Sequence, residues 1–201
     1  MFTGLIPATG HVSSTQPFAK GREVIITAPP DICNDIGVGD SISINGVCRP
    51  AIKKTATTFT VQFLEETLNK TTMGYLIEND TVNLELCLTL QTKLGGHLVS
   101  GHIDDRGKIV SFDSNGPWGV LTIQFHESFA PYLIPKGSVA IEGISLTVVD
   151  ITTNCFTCHL IPHTQTHTNL NTKQVGDMVN LEFDQVGKYL FRFWELNNKK
   201  S

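Results

Sequence analysis

The segment Gly95-Gly96-His97-Leu98-Val99-Ser100-Gly101-His102 sets two imidazoles among three glycines. The glycines allow close backbone approach and positive φ, while the histidines titrate near neutral pH, which suits acid–base work on a bound small molecule. A second segment, Asn45-Gly46-Val47-Cys48-Arg49-Pro50, offers a thiol, and Cys48 reads equally as a packed core residue or a functional group. In Glu142-Gly143-Ile144-Ser145-Leu146-Thr147, two hydroxyls stand on alternate positions. On a strand they share one face, a pattern suited to hydrogen bonding a heterocycle.

Two metal patterns are weaker. Cys155-x-x-Cys158 has the spacing of half a zinc site, but no second pair follows, and in an extended run the two thiols face opposite sides. His159, His163 and His167 would align on a helix. Their segment reads instead as a strand ending at Pro162, which breaks the stripe.

The elements that position these groups are written twice. Gly4 and Gly101, Gly10 and Gly107, Gly46 and Gly143, Phe59 and Phe156, Thr67 and Thr164, and Thr71 and Thr168 each stand 97 positions apart. The same shift lays Val82-Asn83-Leu84-Glu85 over Val179-Asn180-Leu181-Glu182. A gapless offset over so long a span indicates a duplicated domain of about 95 residues with its own core. His102 falls opposite Leu5, so the second copy has a histidine that the fold itself does not require.

Each copy reads as short β-strands rich in β-branched and aromatic residues, such as Val24–Thr27, Ser41–Ile44, Phe59–Phe63 and Cys155–Leu160. Turn signals at Pro29-Pro30, Gly37–Asp40 and Asn45-Gly46 separate them. Some six strands per copy argue for a small closed barrel rather than a βαβ sheet. Short helices are expected near Glu65–Asn69 and Glu127–Leu133, and a longer one from about Gln185 to Leu196. Tyr189, Leu190, Phe191, Phe193, Trp194 and Leu196 make that helix apolar over most of its circumference, so it is expected to pack on another subunit or back on its own domain.

A net charge of −4 gives no reason to expect nucleic acid or anionic membrane as partner. Hydrophobic content is ordinary at 40%, and no apolar run approaches bilayer length. The Met1-Phe2-Thr3-Gly4 start lacks the pattern of a secretory leader, and an odd count of five cysteines suits reduced thiols in a cytoplasm.

Taken in order, Met1-Phe2-Thr3-Gly4, Asn45-Gly46-Val47-Cys48, Glu66-Thr67-Leu68, Gly95-Gly96-His97, Ser100-Gly101-His102, Lys136-Gly137-Ser138, Gly143–Val148, Ile161-Pro162-His163-Thr164 and Asp184 with Gly187-Lys188-Tyr189 make the chain resemble the riboflavin synthase family nearly end to end. The resemblance implies two tandem six-stranded Greek-key barrels, at 1–96 and 97–184, and a C-terminal oligomerisation helix and tail, 185–201. It implies a cytoplasmic homotrimer, with lumazine synthase as a further partner. The implied reaction is a dismutation of two 6,7-dimethyl-8-ribityllumazine molecules, in which one yields a four-carbon unit to the other, giving riboflavin and a ribitylaminouracil. No cofactor or metal is implied. The alternative is a non-catalytic or weakened lumazine- or flavin-binding homologue, like the antenna proteins that share this fold.

By position, the resemblance implies that Gly4, Leu5, Ile6, Val47, Cys48, Arg49, Gln62, Phe63 and Thr67 line a pocket of the first barrel. Gly101, His102, Ile103, Lys136, Ser145, Leu146, Thr147, Leu160, Ile161, Pro162, His163, Thr164 and Gln165 would line one in the second. Ser41, Cys48, His102 and Asp184 match polar positions of the active site, with His102 assisting proton transfer and Ser41 or Cys48 supporting addition at a ring carbon. The chain departs from the family pattern at Arg49-Pro50, where Leu-Thr is usual, at Val61-Gln62, and at Cys87 in place of Arg.

Overall fold

Among the described residues there are thirteen strands, and all but the exposed Lys53-Lys54 pair turn side chains toward a core. The computed structural model describes residues 1–113 and 118–198. The first copy contains β1 (Ala8–Phe18), β2 (Gly21–Thr27), β3 (Ser41–Ile44), β4 (Val47–Pro50), β5 (Lys53–Lys54), β6 (Thr58–Phe63) and β7 (Thr81–Leu86). The second contains β8 (Asp105–Asp113), β9 (Gly119–Gln124), β10 (Ser138–Ile141), β11 (Ile144–Ile151), β12 (Cys155–Leu160) and β13 (Met178–Phe183). Helices α1 (Pro30–Asp35), α2 (Glu65–Lys70), α3 (Pro162–His167) and α4 (Gln185–Asn198) lie between and after them.

The second copy is a closed barrel in the order β10-β11-β12-β9-β8-β13, a Greek-key arrangement. The first is a seven-stranded sheet, β4-β3-β7-β1-β2-β6-β5. Its two end strands are the halves of one interrupted strand, because the 97-residue shift lays β11 over β4, Ala51-Ile52 and β5 together. Ala51 N donates to Asp40 O at 2.9 Å just as Val148 N donates to Gly137 O at 2.9 Å. The expected second closed ladder is therefore replaced by a sheet whose ends the chain itself joins. The break falls where β11 also loses register, between Val148 and Ile151.

Each barrel has its own core. Val24, Ile26, Ile42, Ile44, Phe59, Val61 and Leu84 fill the first, and Ile109, Leu121, Ile123, Val139, Phe156, Cys158 and Leu181 the second. On β12 the inward residues are Phe156, Cys158 and Leu160, while Cys155 lies on the other face. Desolvation pushes the Cys158 thiol up to about 12, so it is an inert packing group.

Two short helices begin where the sequence reads as a turn and as a strand end. Pro30 begins α1 and Pro162 begins α3, positions where proline's missing N–H costs nothing. Hence His163 and His167 do share a helix face and stack at 4.1 Å, while His159 stays on β12. Among the described residues, no cluster of three or more metal-ligating side chains forms. In the repeat α3 is the counterpart of α2, 97 residues on.

The two barrels meet on a pseudo-two-fold axis. Hairpin turns Asn45-Gly46 and Glu142-Gly143, all four residues at positive φ, press against each other. A Cβ on Gly46 would stand 2.8 Å from Gly143 N. Around them the copies cross-bond: Thr72 N donates to Asn180 Oδ1 and Asn169 N to Asn83 Oδ1, each at 2.7 Å. Asn45 and Glu142 cap Asn83 N and Asn180 N respectively. Glu142 is fully buried; desolvation raises its pKa, while the nearby Lys173 opposes that shift.

Candidate functional site

Each copy opens with a segment that bends back onto its own final strand. Glu85 accepts from Thr3 N, Thr3 Oγ1 and Gly4 N, and Glu182 accepts from Ser100 N, Ser100 Oγ and Gly101 N in the same pattern. Desolvation raises the Glu85 pKa, against the hydrogen bonds from Thr3 and Gly4. These two anchors aim the segments outward, each toward the other barrel. Phe2 and Val99 bridge them through paired backbone bonds, and both side chains are fully buried.

The segments are exchanged. Cys48 N on the first barrel donates to Gly101 O at 2.8 Å, and Ser145 N on the second donates to Gly4 O at 2.8 Å. Ile103 accordingly packs against the first core and Ile6 against the second. This alters the expected grouping: Gly4 and Ile6 turn to the second barrel while Leu5 stays over a cleft of the first, and Gly101, His102 and Ile103 come to a wall of the first. The backbone bonds that decide it run between residues too distant in sequence to leave a mark in residue type.

A cavity of about 210 Å³ results on the first barrel, walled by Val47, Cys48, Arg49, Thr67, Gly101, His102 and Ile103. Glu66, Lys70 and Thr71 complete the wall. Glu66 belongs to a motif that carries the family resemblance, whereas Lys70 and Thr71 were not anticipated, although all share the turns of α2 with Thr67 at helical spacing. Arg49 Nε donates to Gln62 O at 2.8 Å, which fixes the guanidinium. The Gln62 side chain turns away to Glu23, and Phe63 is buried in the core, so neither presents its side chain to the cavity.

On the second barrel, Ser145 and Thr147 share the outer face of β11, as their spacing suggested, while Leu146 points into the core. Ser145 Oγ lies 2.7 Å from His97 Nδ1. His97 is nine-tenths buried, and burial lowers its pKa against the pull of Asp184. Its Nε2 is a buried nitrogen without a hydrogen-bond partner among the described residues. Gln165 folds back to Leu160 O, and Ile161 with Pro162 leads into α3, which carries His163 and Thr164. Lys136 is exposed, with its N–H on Val148 O.

Of the four polar positions, Cys48 and His102 share the first cavity. Ser41 lies instead in a cleft of about 660 Å³ beside α1, with Leu5, Asp40 and Cys87. Asp184 stands at the foot of α4 with Ser138 and Trp194, where it accepts from Val186 N. Within one chain, then, these groups occupy three places.

Paired barrels of this kind define the class. The lumazine binding domain family matches residues 3–87 and again 100–184. Solved structures of LumP share the fold at 20% identity: the complex with 6,7-dimethyl-8-(1'-D-ribityl) lumazine aligns with a TM-score of 0.83 and the riboflavin complex with 0.85, each covering 91% of this chain and 99% of the other. Closer in sequence, riboflavin synthase of Actinobacillus pleuropneumoniae is 40% identical, covering 96% of this chain and 89% of that protein. The Bacillus subtilis (strain 168) enzyme is 34% identical over 99% and 92%, and that of Schizosaccharomyces pombe 36% over 94% and 91%. The chain belongs to the riboflavin synthase family, and it is an enzyme.

Proposed function

We propose that the first-barrel cavity and its repeat-related counterpart on the second barrel each hold one 6,7-dimethyl-8-ribityllumazine, and that the chain dismutates the pair to riboflavin and 5-amino-6-(D-ribitylamino)uracil. The observation that carries this reading is the reciprocal exchange, Cys48 N to Gly101 O and Ser145 N to Gly4 O, which sets equivalent segments of one motif against equivalent strands of the two barrels. Orienting two bound reactants can supply about 7–11 kcal/mol of barrier lowering, so most of the rate comes from positioning. His102 moves the proton, and Cys48, on the same wall, supports addition at a ring carbon.

Ser41 and Asp184 lie in other clefts of the chain, so their part in the reaction requires a neighbouring subunit. A homotrimer with sites between the first barrel of one subunit and the second of the next supplies it, held by α4. The division into 1–96, 97–184 and 185–201 follows from that arrangement. Five free cysteines suit a reducing cytoplasm, and among the described residues no helix is long and apolar enough to cross a membrane. Lumazine synthase is the partner expected to supply the substrate.

The test mixes the full chain with 6,7-dimethyl-8-ribityllumazine, with no metal or cofactor added, and follows the spectrum. Riboflavin forming at half the rate of lumazine loss is the expected outcome. Tight fluorescent binding without turnover moves the chain to the antenna class.

A further inference from the structure

Two identical lumazines must play different parts, one yielding four carbons and the other receiving them, so the pockets that hold them must differ chemically. The repeat exposes the difference. Where the first cavity has Arg49 and His102, the second copy has Leu146 and Leu5. Arg49 is held by its bond to Gln62 O, and neither it nor Lys70 forms an ion pair among the described residues. Glu66 is the one carboxylate on this wall, and it stands one turn from Lys70 on α2, which leaves Arg49 as the net charge.

We propose that the first pocket is the one that ionises its lumazine, with His102 taking a proton from the C7 methyl group and Arg49 holding the resulting anion. This assignment rests on the dismutase reading. The methyl C–H bond breaks, the proton goes to an imidazole nitrogen, and the electron pair spreads through the ring onto its carbonyl oxygens until the new carbon–carbon bond forms. A guanidinium held in place costs no reorganisation as that charge develops. The second copy, with Leu146 turned into its core and Leu5 in place of a histidine, offers no charge at either equivalent position, and its lumazine stays neutral, as the partner to be attacked.

The test uses the full chain and two readouts. Rapid mixing before turnover gives the pH at which half of the bound lumazine is ionised, and steady-state assays give kcat and KM for riboflavin formation. Arg49→Leu is expected to raise that midpoint by about one pH unit and to lower kcat about tenfold at neutral pH, with KM changed far less. Arg49→Lys, which restores a charge without the fork, recovers part of both. A folded Arg49→Leu protein with parental midpoint and kcat overturns the proposal. So does a loss of rate with an unmoved midpoint that Arg49→Lys does not relieve. If the parent chain binds lumazine but forms no riboflavin at any pH, the dismutase reading fails and takes this assignment with it.

Discussion

At the scale of single residues, environment separates groups that look alike in sequence. His97 and His102 stand five positions apart, yet His102 lies exposed on the first cavity while His97 is buried against Ser145. Burial holds the folded-state pKa of His97 below the unfolded value of about 6.5. Between those two values the unfolded chain binds the extra proton, so the stability His97 confers is present above about pH 6.5 and is lost as the pH falls toward the folded value. The urea midpoint of the parent should therefore drop between pH 7.5 and pH 5.5 by more than that of His97→Asn. Equal drops would show that His97 is not held neutral by the fold.

At the scale of elements, the paired hairpins decide how the barrels meet. Asn-Gly at 45–46 is a strong two-residue turn signal, and the repeat extends it to Glu142-Gly143 despite the unfavourable glutamate. What made these glycines necessary was less evident in sequence: each turn packs on the other, with Gly143 at φ +79 and its added Cβ 2.7 Å from Gly46 N. Gly143→Ala should cost about 1–3 kcal/mol in urea unfolding, from backbone strain together with the displaced turn. A loss below 0.5 kcal/mol, which is the size expected of a ~neutral surface change, would mean that the turns part without penalty. The helices teach a related lesson. Pro162 suggested a strand end, and β12 does end at Leu160; what the local signal left out is the helix that follows, which the repeat equivalence with α2 supplies, because each helix follows the corresponding strand of its own barrel.

At the scale of the whole molecule, α4 has two faces. One docks on its own barrel, through Phe191 against Tyr132 with ring centres 5.5 Å apart and Lys188 to Asp104 at 2.8 Å. The other leaves Tyr189 and Phe193, one turn apart, 75% and 69% exposed. The docked face matches the expectation that the helix packs back on its own domain, and the second face is the contact proposed to hold the trimer. Tyr189→Glu combined with Phe193→Glu should leave the fold intact by circular dichroism and release monomers in sedimentation velocity. An oligomer that persists unchanged would place the subunit contact elsewhere.

The sequence by itself determined the duplication, the β-rich barrels, the terminal helix and the family, because an uninterrupted repeat and alternating apolar residues are local patterns that survive in one dimension. It also named Cys48 and His102, which the fold brings to one wall. Only the tertiary structure decided that Gly101, His102 and Ile103 meet the first barrel while Gly4 and Ile6 meet the second, and that Ser41 and Asp184 stand apart. Those outcomes rest on main-chain hydrogen bonds between remote segments and on the close approach of two glycine turns. Backbone groups are the same in nearly every residue, so the pairing they choose is written in geometry rather than in side-chain identity.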